Sequence, residues 1–193
     1  HCYTAWDLAI GKNEANDFTV GITVGVDQQD NIWVLDVKRF KKGSLEIIEA
    51  ILDMYVRWKS KITGIERGQI EMAIGPLLNQ RIRERSLYSF FYEGLKPGKR
   101  DKQTRARSIQ GRMQQGMVYF PSGDDTVQLM VNEFLRFPMG VHDDCVDALA
   151  WIGLMLDDIV SPRALVKKPV QGWREKRLAG LLSSHVRRSS MSA

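Results

Sequence analysis

The stretch "DFTVGITVGVDQQDNIWVLDVKRF", residues 17 to 40, decides the architecture. Two runs, 17–27 and 31–40, are dominated by Val, Ile, Thr and aromatic residues, with a short polar loop between them. Such side chains suit a pleated, half-buried surface, so the pair reads as antiparallel strands. A shorter run, "YTAWDLAI" (3–10), precedes them across a Gly-Lys-Asn turn and completes a three-strand meander.

Beyond residue 40 the pattern changes period. Ser44 is placed to cap "LEIIEAILDMYVRWK", whose Leu45, Ile48, Ile51, Leu52, Tyr55 and Val56 fall at helical spacing. A buried strand "ITGIE" follows, then a helix near 71–84, a strand near 87–92 and a basic helical segment near 101–115. A short strand "MVYF" stops at Pro121, and helices near 124–135 and 143–158 close the series. This order predicts an α/β domain with a mixed central sheet, three antiparallel strands then parallel ones, and helices on both faces. It is the order of the ribonuclease H-like fold, although several doubly wound folds share its composition.

The 193 residues fit one domain, expected over 1–160, with a basic, weakly ordered tail over 161–193. No apolar run approaches the 18 or more residues that span a bilayer, so no membrane partner is expected. Cys2 and Cys145 are too few and too far apart for a disulfide framework or a zinc site, which suits a reducing interior. His1 opens the chain with neither an initiator Met nor a signal-like segment, as expected of a piece of something longer.

The net charge of +5 is unevenly held. Residues 161–193 carry 8 Lys/Arg against one acid, and residues 1–160 carry 20 against 22. Within the body, "KPGKRDKQTRARSIQGR" (96–112) has seven Lys/Arg and only Asp101, which reads as a polyanion footprint. Lys99, Arg100, Lys102, Arg105 and Arg107 are the candidate phosphate contacts for double-stranded DNA. Trp33, Trp58, Phe90, Phe91 and Trp151 each lie in an apolar pattern and read as core.

The acids point to chemistry. Asp7 stands in an apolar strand between Trp6 and Leu8, and Glu66 closes "ITGIE" at the strand end where ligands gather in open α/β sheets. Asp143, Asp144 and Asp147 cluster in "GVHDDCVDALA" (140–150) at the start of the last helix. Two carboxylates 4 Å apart repel by roughly 4 kcal/mol at an effective dielectric near 20. Convergence of the three groups therefore calls for a hard cation, Mg²⁺ or Mn²⁺, which favours oxygen ligands. Two such ions about 4 Å apart stabilise the attacking and leaving oxygens of phosphodiester hydrolysis, with Asp7 bridging and Glu66 and Asp144 outside it. Asp17, near the Asp7 turn, is a supporting candidate. His142 reads as a hydrogen-bonding loop residue, and the pairs Asp124/Asp125 and Asp157/Asp158 as solvated helix ends.

The trio "AWDLA", "GIERG" and "GVHDDCVDALA", with "KRDKQTRA" and "LMVNEFLRFPMGVHDD", resembles the C-terminal nuclease domain of the large terminase subunit of tailed bacteriophages, over about residues 3–157. The resemblance implies an endonuclease that cuts concatemeric viral DNA during head filling, in the cytoplasm of an infected bacterium. Carried over by motif, Asp7, Glu66 and Asp144 are the metal ligands and catalytic acids, Asp143 is a supporting or alternate ligand, and Asp147, one turn on, faces the same site. It also implies a terminase ATPase domain, a small terminase subunit and a portal as partners. The chain lacks a G-x-x-x-x-G-K-[ST] loop, so translocation is not expected of it. Two alternatives stand beside this reading: a junction resolvase or transposase-like nuclease of the same fold, and a non-catalytic module that docks on DNA or a portal.

Overall fold

The computed structural model describes residues 1–9, 17–96, 102–140 and 142–160. Strands β1 (Cys2–Asp7), β2 (Thr19–Val26) and β3 (Ile32–Phe40) form the meander, and α1 (Ser44–Trp58) leads into β4 (Ile62–Glu66). Then follow α2 (Gln69–Glu84), β5 (Tyr92–Leu95), α3 (Lys102–Gln114), β6 (Val118–Tyr119), α4 (Asp125–Arg136) and α5 (Asp144–Val160). The sheet order is β5-β4-β1-β2-β3-β6, with β1·β2 and β2·β3 antiparallel and the other pairs parallel. The fold is ribonuclease H-like. Residues 161–193, expected to be a basic tail, lie outside the described residues.

Alternation along the strands sends side chains to two cores. Tyr3, Ala5, Val20, Ile22, Val24 and Val37 pack against Leu149, Ile152 and Met155 of α5. Trp6 and Ile65 turn the other way, onto Ile48, Ile51 and Leu52 of α1 and Ile74 and Leu78 of α2. Each fully buried side chain of this size contributes roughly 1.5–3 kcal/mol. Close packing fixes two glycines: a Cβ on Gly21 would lie 2.5 Å from the Trp6 ring, and one on Gly64 would meet Leu95 at 2.6 Å and Met155 at 2.8 Å.

Several local expectations shift. Gly43, not Ser44, caps α1, and Ser44 is its first residue. The buried face of that helix runs through Ile47, Ile48, Ile51, Leu52, Met54 and Tyr55, while Leu45 and Val56 face solvent, because the stripe lies one position round from the expected one. The strand expected near 87–92 forms at 92–95. Residues 87–90 turn instead, with the Phe90 N–H donating to the Leu87 carbonyl and the Phe90 ring buried against Tyr55. Phe91 and Trp33 are exposed rather than core; Trp33 stacks on Tyr119, centroids 4.2 Å apart, at the edge where β3 meets β6.

Candidate active site

Strand direction sets the site. β1 and β4 run parallel with Trp6 beside Ile65, so Asp7 and Glu66 leave the sheet at the same edge on neighbouring strands. β2 begins at that edge, where Thr19 ties down the chain after β1: its hydroxyl donates to the Ala9 carbonyl at 2.7 Å and accepts from the Ala9 N–H at 3.0 Å. α5 then brings Asp144 and Asp147 in its first turn to the same place. Asp7, Asp17, Phe18, Glu66, Asp143, Asp144 and Asp147, with Lys102 and Arg105 from α3, line one pocket of about 380 Å³.

Six carboxylates thus face two cations. The Lys102 ammonium lies 3.0 Å from Asp143 and 2.7 Å from Asp147, and these hydrogen bonds raise its pKa although burial works against the charge. Arg105 donates to Asp147 at 3.0 Å, stands 3.9 Å from Glu66 and sits 5.0 Å over the Trp151 ring. Trp151 in turn donates its indole N–H to Glu66 at 3.2 Å.

The remaining repulsion falls on Asp7. Burial, then Glu66, Asp147 and Asp144, push its carboxyl up to about 8. Asp144 is raised too, first by burial and then by Asp17 and Glu133, against the opposing pull of the Phe18 backbone N–H and of His142. One Asp144 oxygen, Oδ2, is buried with no hydrogen-bond partner. Among the described residues no three His, Cys, Asp or Glu side chains are grouped to grip an ion as they stand.

The sequence-derived acids are therefore brought together, and the basic residues are not used as expected. Lys102 and Arg105 turn inward onto carboxylates, and Arg105 is buried, so it is no part of an exposed phosphate-binding face. Arg107 points elsewhere, into a groove of about 370 Å³ with Phe134, Phe137 and Val146. Lys99 and Arg100 lie outside the described residues. Asp124 and Asp157 are structural, as expected: Asp124 caps α4 by accepting from the Thr126 and Val127 N–H groups, and Asp157 pairs with Arg112 at 2.9 Å.

The sequence reading missed Glu133. From α4 it accepts the Cys145 N–H at 3.0 Å, anchoring the first turn of α5, and it pairs with Arg39 at 3.1 Å. Its only signal was its place in the run leading into the last acidic cluster.

Residues 4–156 match the family model described as the terminase RNaseH-like domain. The chain belongs to this family. No curated protein matches this terminase domain. Among solved structures it is similar to the yeast mitochondrial Holliday junction resolvase Ydc2, with 9% identity and a TM-score of 0.52 over 78% of this chain and 77% of that one. The fowlpox virus Holliday junction resolvase matches with 11% identity and a TM-score of 0.49 over 82% and 99%. T. thermophilus RuvC in complex with Holliday junction substrate matches with 13% identity and a TM-score of 0.43 over 80% and 94%. The terminase domain has the RNaseH-like fold its family description states, with its acids at the sheet edge where β1 and β4 end.

Proposed function

We propose that this terminase domain is a metal-dependent DNA endonuclease that cleaves concatemeric viral DNA during genome packaging, by phosphodiester hydrolysis with two Mg²⁺ or Mn²⁺ ions. The observation that carries the reading is the meeting of Asp7, Glu66 and Asp144, from two strands and a helix, in one pocket with more carboxylates than cations.

The residues fit such ions. Hard divalent cations favour oxygen donors, and among the described residues the pocket walls offer carboxylates and neither His nor Cys. The partnerless Asp144 Oδ2 and the raised Asp7 carboxyl are both relieved by positive charge. Asp7, Glu66 and Asp144 would hold the ions, with Asp143 and Asp147 beside them. Bound there, ions of this kind activate water and stabilise the leaving 3′ oxygen.

The protein's own part is placement. The parallel ladder keeps Asp7 and Glu66 in step, Trp151 orients Glu66, Arg105 orients Asp147, and Glu133 fixes the turn that carries Asp144. Double-stranded DNA is the substrate. The terminase ATPase domain, the small subunit and the portal are the partners this role needs, in the cytoplasm of an infected bacterium.

Incubating supercoiled plasmid with the purified chain and Mg²⁺ or Mn²⁺ tests the reading. Cleavage that stops with chelator, and with Asp7→Ala or Asp144→Ala, is expected. Equal cutting by wild type and both variants would overturn it, and a preference for four-way junctions over linear duplex would place the activity with resolvases.

A further inference from the structure

An acid pocket repels the substrate it is meant to cut, so DNA must be held by positive charge close beside it. The helix expected to do this is compromised, because Lys102 and Arg105 are engaged by Asp143 and Asp147. A second cavity, of about 330 Å³, is walled by Arg39 and His142, both of which meet Phe18 of the acid pocket. Arg39, Asn132, Glu133, Arg136 and His142 are among its walls.

Its placement follows from the sheet. Asp7 pairs with Val20, and Val20 pairs with Arg39, so Arg39 stands two strands from Asp7 at the same register and on the same face. Lys41 and Lys42 follow as β3 ends, at the edge where β1 delivers Asp7. Phe18 joins the two cavities. It walls the acid pocket, meets the His142 ring edge-on at 5.4 Å, and carries the Arg39 guanidinium 3.4 Å and the Lys41 ammonium 4.3 Å over its own ring.

The charge has the right sign. Glu133, the one carboxylate in the cavity wall, already accepts from Arg39 and the Cys145 N–H. Arg136 and Lys42 are exposed, and no ion pair among the described residues engages either. Asn132 and His142 add hydrogen-bonding groups suited to phosphate oxygens.

We propose that this cavity and the end of β3 form the phosphate seat that holds duplex DNA for cleavage, with Arg136 and Lys42 as its cationic contacts and Arg39 locked between Phe18 and Glu133 as its floor. The inference rests on the endonuclease reading for its substrate, and its test can be scored separately.

Binding of a fluorescein-labelled 30-base-pair duplex to the full chain, read by anisotropy with Ca²⁺ across a salt series, is the measurement. The Lys42→Ala/Arg136→Ala variant is expected to bind about tenfold more weakly at low salt and to lose about 2 from the salt slope, as two phosphate contacts should. Lys61→Ala, an exposed lysine at the opposite end of the sheet, is the control and should match wild type. At saturating DNA the double variant should keep kcat while KM rises. Unchanged affinity and slope in a double variant with native circular dichroism overturns the seat even if wild type cleaves. Weakened binding with no cleavage by wild type sinks the endonuclease reading and leaves the seat standing.

Discussion

Arg105 donates to Asp147 at 3.0 Å with both side chains under a tenth exposed, so neither charge has water to fall back on. Removing one partner of a buried ion pair costs about 3–5 kcal/mol when the other charge is left uncompensated; Asp147 keeps Lys102 at 2.7 Å, which sets the expected loss at the lower end of that range. Arg105→Ala should lose stability in that range by urea unfolding, whereas Arg112→Ala, whose partner Asp157 is nearly half exposed, should lose under about 1 kcal/mol. Equal small losses would show that Arg105 is dispensable.

Asp7 makes the metal-free protein prefer acid. An unfolded aspartate titrates near 3.8 and Asp7 in the fold near 8. Below the lower value both states are protonated and the group is neutral in effect. Between the two, the fold keeps a proton that the unfolded chain has released, so stability falls as pH rises, and above 8 the full penalty persists. Asp7→Asn should flatten this dependence and raise Tm by several degrees at pH 8, since 1 kcal/mol shifts a domain of this size by roughly 2–4 °C. Scanning calorimetry from pH 5 to 9 reads both effects. A lower Tm for the variant at pH 8 counts against the placement of Asp7.

Lys102 competes with any added cation for Asp143 and Asp147. Its side chain is half exposed, so Lys102→Ala should cost under about 1 kcal/mol of stability. The same change should tighten Mn²⁺ binding several-fold in a calorimetric titration. Weaker binding would mean that the ammonium supports the ion rather than competing with it.

Glu133→Ala removes the acceptor for the Cys145 N–H and strands Arg39, two losses at the start of α5. A lost helix cap costs about 1 kcal/mol, and an uncompensated, mostly buried arginine adds to it. Unfolding should show a loss of about 2–3 kcal/mol, with plasmid cleavage reduced further than stability alone explains, because Asp144 precedes the released turn. Full activity in the variant would remove Glu133 from the site's support.

The acids were legible because each breaks a local rule: a charge inside an apolar strand, a charge closing one, and three charges opening a helix. The sheet was legible for the same reason, since period-two runs of β-branched residues have few other uses. What stayed hidden depends on pairs distant in the chain. Nothing in "KQTRA" says that Lys102 and Arg105 turn to carboxylates 41 and 42 residues away rather than to solvent. Likewise "LYSFFY" carries strand-forming residues, and only the seat for Phe90 against Tyr55 makes its first part a turn. Glu133 was invisible because a helical glutamate usually faces water, and its partner is the backbone of another helix.

The parallel ladder between β1 and β4 divides the acids into two mechanical classes. Asp7 and Glu66 hang from adjacent hydrogen-bonded strands, so their spacing is as stiff as the sheet. Asp144 rides on a helix held only by side-chain contacts, its apolar face on the sheet and polar ties to Glu133, Arg105 and Arg112, and it can be advanced or withdrawn by repacking α5. Substitutions in the seam between α5 and the sheet therefore offer a way to retune the geometry of cutting while the fixed pair stays put.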